Sequence, residues 1–160
     1  MLTVNAKIEA VIGSDYYKKV APIVKGATAK ISVVMYEWKW YSHEKAGGVQ
    51  ALNLHFLERA RSGVKIQVLM NMESMGHAIT KINSRTGSFL QQRGIQVKFG
   101  SIGTATHAKM VIVDDRFVVL GSHNYSKGAF TRNQECSVLL EGGEAIRPFI
   151  DYFKLLWEHF

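Results

Sequence analysis

The sequence predicts a single α/β domain, spanning residues 1–160, in which a mixed β-sheet is flanked by helices on both faces. Short apolar runs alternate with segments of helical periodicity, an order typical of strands joined by right-handed crossovers. Later in the chain two apolar runs are separated only by Asp114 and Asp115, which predicts a hairpin and therefore a mixed sheet. Neither a linker nor an obvious internal repeat divides the chain.

The first half of the chain predicts three strands and two helices. The strands are predicted where β-branched and apolar residues are concentrated, over residues 3–12, 29–36 and 64–70. A helix over residues 16–25 follows Ser14 and Asp15, either of which can cap its N-terminus. The second helix is predicted from Val49 onwards by apolar residues at helical spacing, and Ser62 and Gly63 end it.

The second half predicts four strands between two helices. The helices span residues 77–93 and 145–160, and the last one places its large apolar side chains on one face. The strands are predicted over residues 95–99, 110–113, 116–120 and 134–140. A glycine-rich loop over residues 100–104 leads to the hairpin.

Composition indicates the partners and the compartment of the chain. The net charge of +7 and the pI near 9.6 favour polyanions such as nucleic acid or an acidic membrane surface. Cys136 is the single cysteine, which excludes an internal disulfide and the common multi-cysteine zinc sites. No apolar run approaches the ~20 residues of a membrane span, and the N-terminus does not resemble a signal peptide. We therefore expect a cytoplasmic protein, although a removed leader would leave no trace.

One stretch around the predicted hairpin carries the chemistry. It has the pattern H-x-K, four residues, D, six residues, G-S-x-N, filled by His107, Lys109, Asp114, Gly121, Ser122 and Asn124. Six fixed residue types at fixed offsets match by chance on the order of once in tens of millions of starting positions, so the pattern is specific. His107 and Lys109 are two residues apart, which places them on the same side of an extended strand. The hairpin is expected to bring them to Ser122 and Asn124.

These residue types supply what phosphodiester cleavage without a metal requires, namely a nucleophile, positive charge and hydrogen-bond donors. His107 can attack phosphorus to give a phosphohistidine, and Lys109 brings a fixed cation to the phosphoryl oxygens. Asn124 and Ser122 offer neutral donors to the same oxygens. Glu135 can hold the other imidazole nitrogen of His107, which fixes the tautomer and supports the imidazolium.

The pattern resembles the HKD motif of the phospholipase D superfamily, and Asn133-Gln134-Glu135 resembles the downstream N-x-E element of its small bacterial nucleases. In size and in having a single motif, the chain is similar to the small metal-independent endonucleases of that superfamily. The resemblance implies a phospholipase D-like fold, no metal or other cofactor, and the catalytic roles given above. It also implies a structural ion pair or turn role for Asp114, away from the phosphate. Gly121 is expected to give the backbone freedom before the phosphate-binding loop.

A single His107 does not complete the reaction, because one histidine cannot readily attack phosphorus and protonate the opposite leaving group in one step. The chain has five other histidines, His43, His55, His77, His123 and His159. Loop positions allow His43 and His77 to approach the substrate, whereas surface or outward-pointing positions are expected for the others. None comes with a second lysine and asparagine, and relatives with one motif pair two chains. We therefore expect a symmetric homodimer with one composite site.

The segment over residues 36–45 is aromatic and basic, and it follows a predicted strand. Trp38, Trp40 and Tyr41 can stack on bases, while Lys39 and Lys45 can contact phosphates. The alternative is that these aromatic rings pack at the dimer interface or under a loop. Six other basic residues can form a phosphate-tracking surface or can be separate solvated charges, Arg59, Arg61, Lys65, Lys81, Arg85 and Arg93.

Three functions remain open at this point. We favour a nuclease that cleaves DNA or RNA, because the chain is small and basic and has no membrane anchor. The second is a lipid phosphodiesterase or transphosphatidylase, whose tryptophan-rich loop would enter a headgroup layer. The third is a binding module without turnover, which the complete set of site residues disfavours.

Overall fold

The computed structural model describes residues 5–41 and 47–160, and the strands in these ranges form one mixed sheet. The strands are β1 (Lys7–Ile12), β2 (Lys30–Met35), β3 (Lys65–Met70), β4 (Gln96–Phe99), β5 (Met110–Val113), β6 (Phe117–Gly121) and β7 (Cys136–Glu141). Their order across the sheet is β1-β7-β6-β5-β2-β3-β4. Strands β2, β3 and β4 are parallel, whereas all other pairs are antiparallel. The predicted mixed sheet is confirmed.

Helices cover both faces of the sheet, as predicted. They are α1 (Tyr16–Lys25), α2 (Gly48–Arg61), α3 (Ala78–Gln91), α4 (Lys127–Thr131) and α5 (Gly143–His159), with a 3-10 turn over Gly13–Asp15. Side chains of α1 to α4 share one core with the alternate residues of β2 and β3. Helix α5 packs Ile146, Ile150 and Phe153 against the opposite face, on Met110 and Ile112. None of the helices in the described ranges is long and apolar enough to cross a membrane.

Most elements begin and end within two residues of the predicted bounds, but one strand begins later and one helix was not predicted. Strand β1 begins at Lys7, and residues 3 and 4 of the predicted strand lie outside the described residues. The five-residue helix α4 was not predicted, because one turn and a half shows no apolar periodicity. Its N-cap is Ser126, whose hydroxyl accepts a hydrogen bond from the Ala129 amide at 3.4 Å.

The topology collects the functional segments at one edge of the sheet, which we name the site edge. The parallel strands β2 and β3 end there, and the antiparallel strand β5 begins there, with Met110 paired to Val34. Strand β6 ends at this edge and β7 begins there, with Gly121 paired to Ser137. The segments before β5, after β6 and before β7 therefore meet, which is where an α/β sheet commonly places its site.

Asp114 lies at the opposite edge, in the turn between β5 and β6. Its carboxylate accepts hydrogen bonds from the amides of Thr28, Ala29 and Lys30 at 2.7, 2.9 and 2.8 Å, and from the Thr28 hydroxyl at 3.1 Å. Desolvation alone would raise the pKa of Asp114, but these hydrogen bonds outweigh it and the pKa is lowered. The carboxylate thus ties the hairpin turn to the start of β2.

Gly121 is required for a different reason from the one predicted. Its φ is not positive, so the expectation of unusual backbone freedom is wrong. A Cβ atom at this position would instead collide with the Ser137 side chain and the Cys136 carbonyl. The close approach of β6 and β7 is what excludes a side chain here.

Candidate active site

His107 and Lys109 lie at the site edge, immediately before β5. The Lys109 Nζ is 3.2 Å from each ring nitrogen of His107 and donates a hydrogen bond to the His107 carbonyl at 2.7 Å. Both residues lie just before strand β5, which begins at Met110, and their side chains are in contact, as expected for residues on the same side of the chain. A backbone hydrogen bond from Gly121 to the Lys109 carbonyl, 3.1 Å long, holds this segment beside the end of β6.

The ammonium group of Lys109 is buried beside an exposed imidazole. Lys109 is 8% exposed, whereas His107 faces solvent. Desolvation lowers the pKa of Lys109, and the negative charge of Glu135 opposes that shift. The Nζ also lies 4.9 Å from the centre of the Tyr36 ring. A cation held in this way can interact with a phosphoryl oxygen bound at His107.

Ser122 and Glu135 form a hydrogen-bonded pair across β6 and β7. The Ser122 hydroxyl donates a short hydrogen bond to Glu135 Oε2 and accepts one from the Cys136 amide at 3.0 Å. Glu135 Oε1 accepts a hydrogen bond from Asn133 Nδ2 at 3.1 Å. Because a hydroxyl has one proton, Ser122 does not offer the donor to phosphate that the sequence predicted.

The hydrogen-bond partners of Glu135 within one chain also differ from the predicted partner, His107. Its two carboxylate oxygens contact Ser122 and Asn133, and none of the hydrogen bonds among the described residues joins Glu135 to His107. Its charge nevertheless acts on Lys109, whose pKa it raises. The carboxylate is therefore part of the electrostatics of the site through Lys109.

Asn124 is positioned by the segment that follows β2. Its Oδ1 accepts a hydrogen bond from the Glu37 amide at 3.2 Å. Backbone hydrogen bonds from Tyr125 to Glu37 at 2.9 Å and from Lys39 to Tyr125 at 2.8 Å lock the two segments together. With the side-chain oxygen occupied, the amide NH2 of Asn124 is the group left to donate to a ligand.

Tyr36 and its partners were missed in the sequence analysis. The Tyr36 ring lies 4.8 Å from the His107 ring, and its hydroxyl donates to Glu73 Oε1 at 3.1 Å. Asn71 donates to the same Glu73 oxygen at 2.9 Å and accepts from the Thr106 amide at 2.7 Å. The pKa of Tyr36 is raised, mainly by desolvation and secondly by the hydrogen bond to Glu73. The available signal was position, since Tyr36 and Asn71 directly follow β2 and β3 at the site edge.

The chain matches known proteins in sequence and in fold. A family model described as "Cardiolipin synthase, PLD-like domain" matches residues 20–157. The chain belongs to the phospholipase D superfamily. The matched range contains His107, Asn124 and every position between them, and the predicted resemblance is confirmed. Members of this superfamily are phosphodiesterases, and the match supports this general class of activity for the chain.

Sequence relatives within the superfamily carry lipid names. The mitochondrial cardiolipin hydrolase of Homo sapiens is 31% identical over 98 residues, which are 61% of this chain and 37% of that protein. A phospholipase D of Rickettsia bellii is 23% identical over 110 residues, which are 69% of this chain and 52% of that protein. The chain therefore spans about half or less of the length of these two relatives.

Several solved structures share the fold of almost the whole chain. The phospholipase D family member Nuc from Salmonella typhimurium has a TM-score of 0.77 at 17% identity, over 96% of this chain and 95% of its own. NucT from Helicobacter pylori has a TM-score of 0.76 at 18% identity, over 96% and 97%. Phosphatidylserine synthase of Haemophilus influenzae has a TM-score of 0.71 at 14% identity, over 97% and 39%. The predicted phospholipase D-like fold is confirmed.

The aromatic segment of this phospholipase D-like domain divides into a buried and an accessible part. Trp38 is 0% exposed, and its indole nitrogen donates to Asn53 Oδ1 at 2.8 Å. The prediction that Trp38 binds substrate is wrong, because its ring is packed in the core against Phe56 and Tyr125. Trp40 and Lys39 are half-buried at the surface. Lys45 lies outside the described residues.

The other histidines do not join His107 in the described part of the chain. His123 is buried, bonded to Ser137 Oγ at 2.7 Å and the Gly13 carbonyl at 2.9 Å. His77 caps α3, accepting from the Ile79 amide at 3.3 Å. A surface position was predicted for His55 and His159. His159 is exposed, as predicted, whereas His55 is half-buried between Tyr17 and Glu58. His43 lies outside the described residues.

The basic residues do not form one surface around the site. Arg59 and Arg61 end α2, and Lys65 begins β3, so all three lie at the edge opposite to the site edge. Arg93 follows the end of α3 at that same opposite edge. Lys81 is on the first turn of α3, at the site edge, and Arg85 is near the middle of that helix. Within residues 5–41 and 47–160, no group of three or more His, Cys, Asp or Glu side chains is arranged to hold a metal ion.

Proposed function

We propose that the chain is a metal-independent phosphodiesterase that cleaves DNA or RNA through a phosphohistidine, at a site shared by two subunits. The observation that carries the proposal is the placement of an exposed imidazole, His107, directly against the buried ammonium of Lys109 at 3.2 Å. Asn124 lies at the same edge, and the Ser122–Glu135 pair supports the lysine charge. This combination of nucleophile, cation and amide donor suits attack on a phosphodiester.

The reaction proceeds in two displacements. A ring nitrogen of His107 attacks phosphorus, the bond to the leaving oxygen breaks, and that oxygen takes a proton from His107 of a second subunit. Lys109 and the NH2 of Asn124 donate to the non-bridging oxygens, where negative charge develops. A water molecule then attacks phosphorus and gives its proton to the second imidazole, and the phosphorus–nitrogen bond breaks.

The second subunit supplies the proton donor that is missing from the described part of one chain. The four other histidines in the described ranges are committed to structural contacts or lie away from the site edge, as shown above. A two-fold axis beside the site edge would bring the two His107 side chains to opposite faces of one phosphate. The residues in the described ranges therefore form half of the proposed site, and the second copy of the chain provides the other half.

An uncovered apolar face of the sheet supports the dimer. Ile8 and Leu140 are paired across β1 and β7, as are Ile12 and Cys136, so these side chains point to the face that carries α5. Helix α5 does not bury this part of the face, since Ile8 and Ile12 are 70% and 54% exposed. The face reaches the site edge at Cys136, beside Glu135, and a second copy of the chain can cover it.

Nucleic acid is the favoured substrate because of charge. The net charge of +7 attracts polyanions, and nucleic acid presents phosphodiesters at every step along a strand. The near full-length fold similarity to Nuc and NucT is compatible with this choice.

A phospholipid phosphodiesterase or transphosphatidylase is the second candidate, and one observation favours it. Met75 and Ile102 are 82% and 54% exposed, on the two loops that follow β3 and β4 at the site edge. Exposed apolar tips beside a phosphodiesterase site suit insertion into a lipid surface. The names of the cardiolipin hydrolase and phospholipase D relatives agree with this alternative.

A substrate comparison in the presence of a chelator tests the proposal. Purified chain is incubated with single-stranded DNA, duplex DNA, RNA, and vesicles containing cardiolipin or phosphatidylcholine, each with and without EDTA. His107→Ala is the inactive control, and His159→Ala is the matched control because that histidine is exposed at the end of α5. We expect nucleic acid cleavage that EDTA does not affect. Lipid hydrolysis without nucleic acid cleavage would refute the choice of substrate, and loss of activity in EDTA would refute the mechanism.

A further inference from the structure

A pocket lies between the segment after β2 and helix α3, outside the catalytic residues. Its volume is about 490 Å³, and it is lined by Lys39, Trp40, Ile82, Arg85, Thr86 and Phe89 among others. We name it the α3 pocket. Its lining combines aromatic rings with cationic side chains, which is the composition of sites that bind a nucleobase together with its phosphate.

The aromatic wall of the α3 pocket is fixed by its surroundings. The Trp40 and Phe89 rings pack with their centres 4.0 Å apart. The backbone of Trp38, two residues earlier, is bonded to helix α3 on both sides: its amide donates to Asn83 Oδ1 at 3.0 Å and its carbonyl accepts from Thr86 Oγ1 at 2.6 Å. A platform held in this way is preformed, so a ligand does not have to order it.

The cations of the α3 pocket are available for a phosphate. Arg85 is exposed and forms no ion pair with any residue in the described ranges. Lys39 is paired with Glu37 at 3.0 Å, and its side chain remains 36% exposed. The pocket therefore presents one guanidinium without an ion pair among the described residues and one partly neutralised ammonium beside its aromatic wall.

The α3 pocket is within reach of the catalytic groups. The Glu37 amide contacts Asn124, and Trp40 follows Glu37 by three residues. Three residues of chain span at most about 10 Å, which is within reach of a neighbouring nucleotide. A lipid headgroup has no planar ring for the aromatic wall, whereas every nucleobase has one.

We propose that the α3 pocket binds one unpaired base of a nucleic acid strand whose neighbouring phosphodiester lies at His107. This inference rests on the proposed nuclease function. Trp40 contacts the base, and Arg85 contacts the adjoining phosphate. Because a base inside a duplex is stacked and paired, the pocket makes a single strand the preferred substrate.

The test compares two substrates in each variant, a single-stranded oligonucleotide and bis(p-nitrophenyl) phosphate, a small diester that has neither a nucleobase nor a neighbouring phosphate. The measured quantity is the ratio of kcat/KM for the oligonucleotide to kcat/KM for the small diester. In Trp40→Ala we expect this ratio to fall about 5- to 100-fold, the effect of losing one base–aromatic stack. Trp40→Phe keeps an aromatic ring and is expected to retain most of the ratio. Thermal unfolding of both variants checks that the fold is intact.

Arg85 is tested through the salt dependence of binding. In Arg85→Gln the slope of log affinity for the oligonucleotide against log salt is expected to become less steep by about 0.7, the loss of one phosphate contact on a single strand. Arg61→Gln is the matched control, since Arg61 is an exposed arginine at the opposite edge of the sheet. We expect its slope and its substrate ratio to equal those of the wild type.

The possible failures are distinguishable. An unchanged ratio in Trp40→Ala, or an equal loss on both substrates, would overturn the α3 pocket as a base site while leaving the nuclease function intact. A wild-type chain that hydrolyses the small diester or lipid vesicles but no nucleic acid would overturn the proposed function itself. Equal cleavage of single strands and duplexes by the wild type would overturn the strand preference.

Discussion

Lys109 holds its ammonium nitrogen 3.2 Å from both ring nitrogens of His107 and bonded to the His107 carbonyl at 2.7 Å. The imidazole and the cation therefore form one unit, in which a phosphate that reaches the nucleophile also reaches the positive charge. Burial of Lys109 strengthens such an interaction, because charges act more strongly where water is excluded. The same burial makes the lysine charge sensitive to pH.

The lowered pKa of Lys109 predicts the alkaline limb of the pH–rate profile. Desolvation places this pKa below the ordinary lysine value of about 10.4, so the cation and the activity are lost as pH rises through the lowered value. Lys109→Arg, if active, is expected to extend activity to higher pH, since a guanidinium does not titrate there. Glu135→Gln is expected to shift the limb to lower pH, because Glu135 raises the pKa of Lys109. A limb that is identical in all three proteins would contradict this assignment.

Tyr36 is predicted to position His107 through its ring. Tyr36→Leu removes the ring that lies 4.8 Å from His107, and we expect kcat to fall about 10-fold or more with little change in KM, since small misplacements of a nucleophile are costly. Tyr36→Phe keeps the ring and loses only the hydrogen bond to Glu73, so it should retain most of kcat. Tyr152→Leu, at an exposed tyrosine on α5, is the control. Equal activity of Tyr36→Leu and wild type would refute this role.

Ser122 and Glu135 are predicted to act as a unit. The Ser122 proton is donated to Glu135, so removing either side chain disrupts the same pair. We expect Ser122→Ala and Glu135→Gln each to lower kcat about 10-fold or more, and the double variant to be no worse than Glu135→Gln alone. The measurement is a double-mutant cycle on kcat. Additive losses would show that Ser122 contacts the phosphate independently, as the sequence had predicted.

Asp114 is predicted to stabilise the fold without contributing to the chemistry. Asp114→Asn keeps a side chain that tolerates the φ of 51° but loses the charge that accepts three backbone amides. We expect the free energy of unfolding at pH 7 to fall by about 1–3 kcal/mol, with activity at the site edge retained. Asp115→Asn is the control, since that residue has a similar φ of 50° and only an exposed ion pair with Lys30.

The pH dependence of stability gives a second check on Asp114. Because its folded pKa is lowered, its contribution is present above the unfolded value of about 3.9 and is lost as pH falls through the folded value. The difference in unfolding free energy between wild type and Asp114→Asn should therefore shrink in acid. Urea denaturation from pH 7 down to pH 3 measures it, and a constant difference would contradict the assignment.

The sequence predicted the elements of the fold and the main residues of the candidate site for clear physical reasons. Alternation of apolar runs and helical periodicity reflects burial against a shared sheet, and the spacing of the HKD pattern reflects the length of one hairpin. His107, Lys109 and Asn124 are within 17 residues of each other, so local topology was enough to bring them to one edge.

Interactions that depend on distant segments could not be predicted in this way. Tyr36 and Glu73 are 37 residues apart and meet only because β2 and β3 are adjacent parallel strands. Trp38 lies in a segment that alternates aromatic and charged residues, and only the packed structure shows that its ring is in the core. The motif was enough to place Ser122 at the candidate site. Which group its hydroxyl proton is donated to depends on the position of Glu135, which the motif does not give.

The shared site is the central claim, and a heterodimer tests it most directly. Wild-type and His107→Ala chains carrying different affinity tags are expressed together, and the mixed dimer is purified through both tags. If two His107 side chains serve one phosphate, the mixed dimer lacks either the nucleophile or the proton donor, and its kcat on an oligonucleotide should be about 5% of wild type or less. A mixed dimer with His159→Ala should be fully active. Two independent sites would instead give the His107→Ala heterodimer about half of the wild-type activity, and that result, or a fully active monomer, would contradict the account.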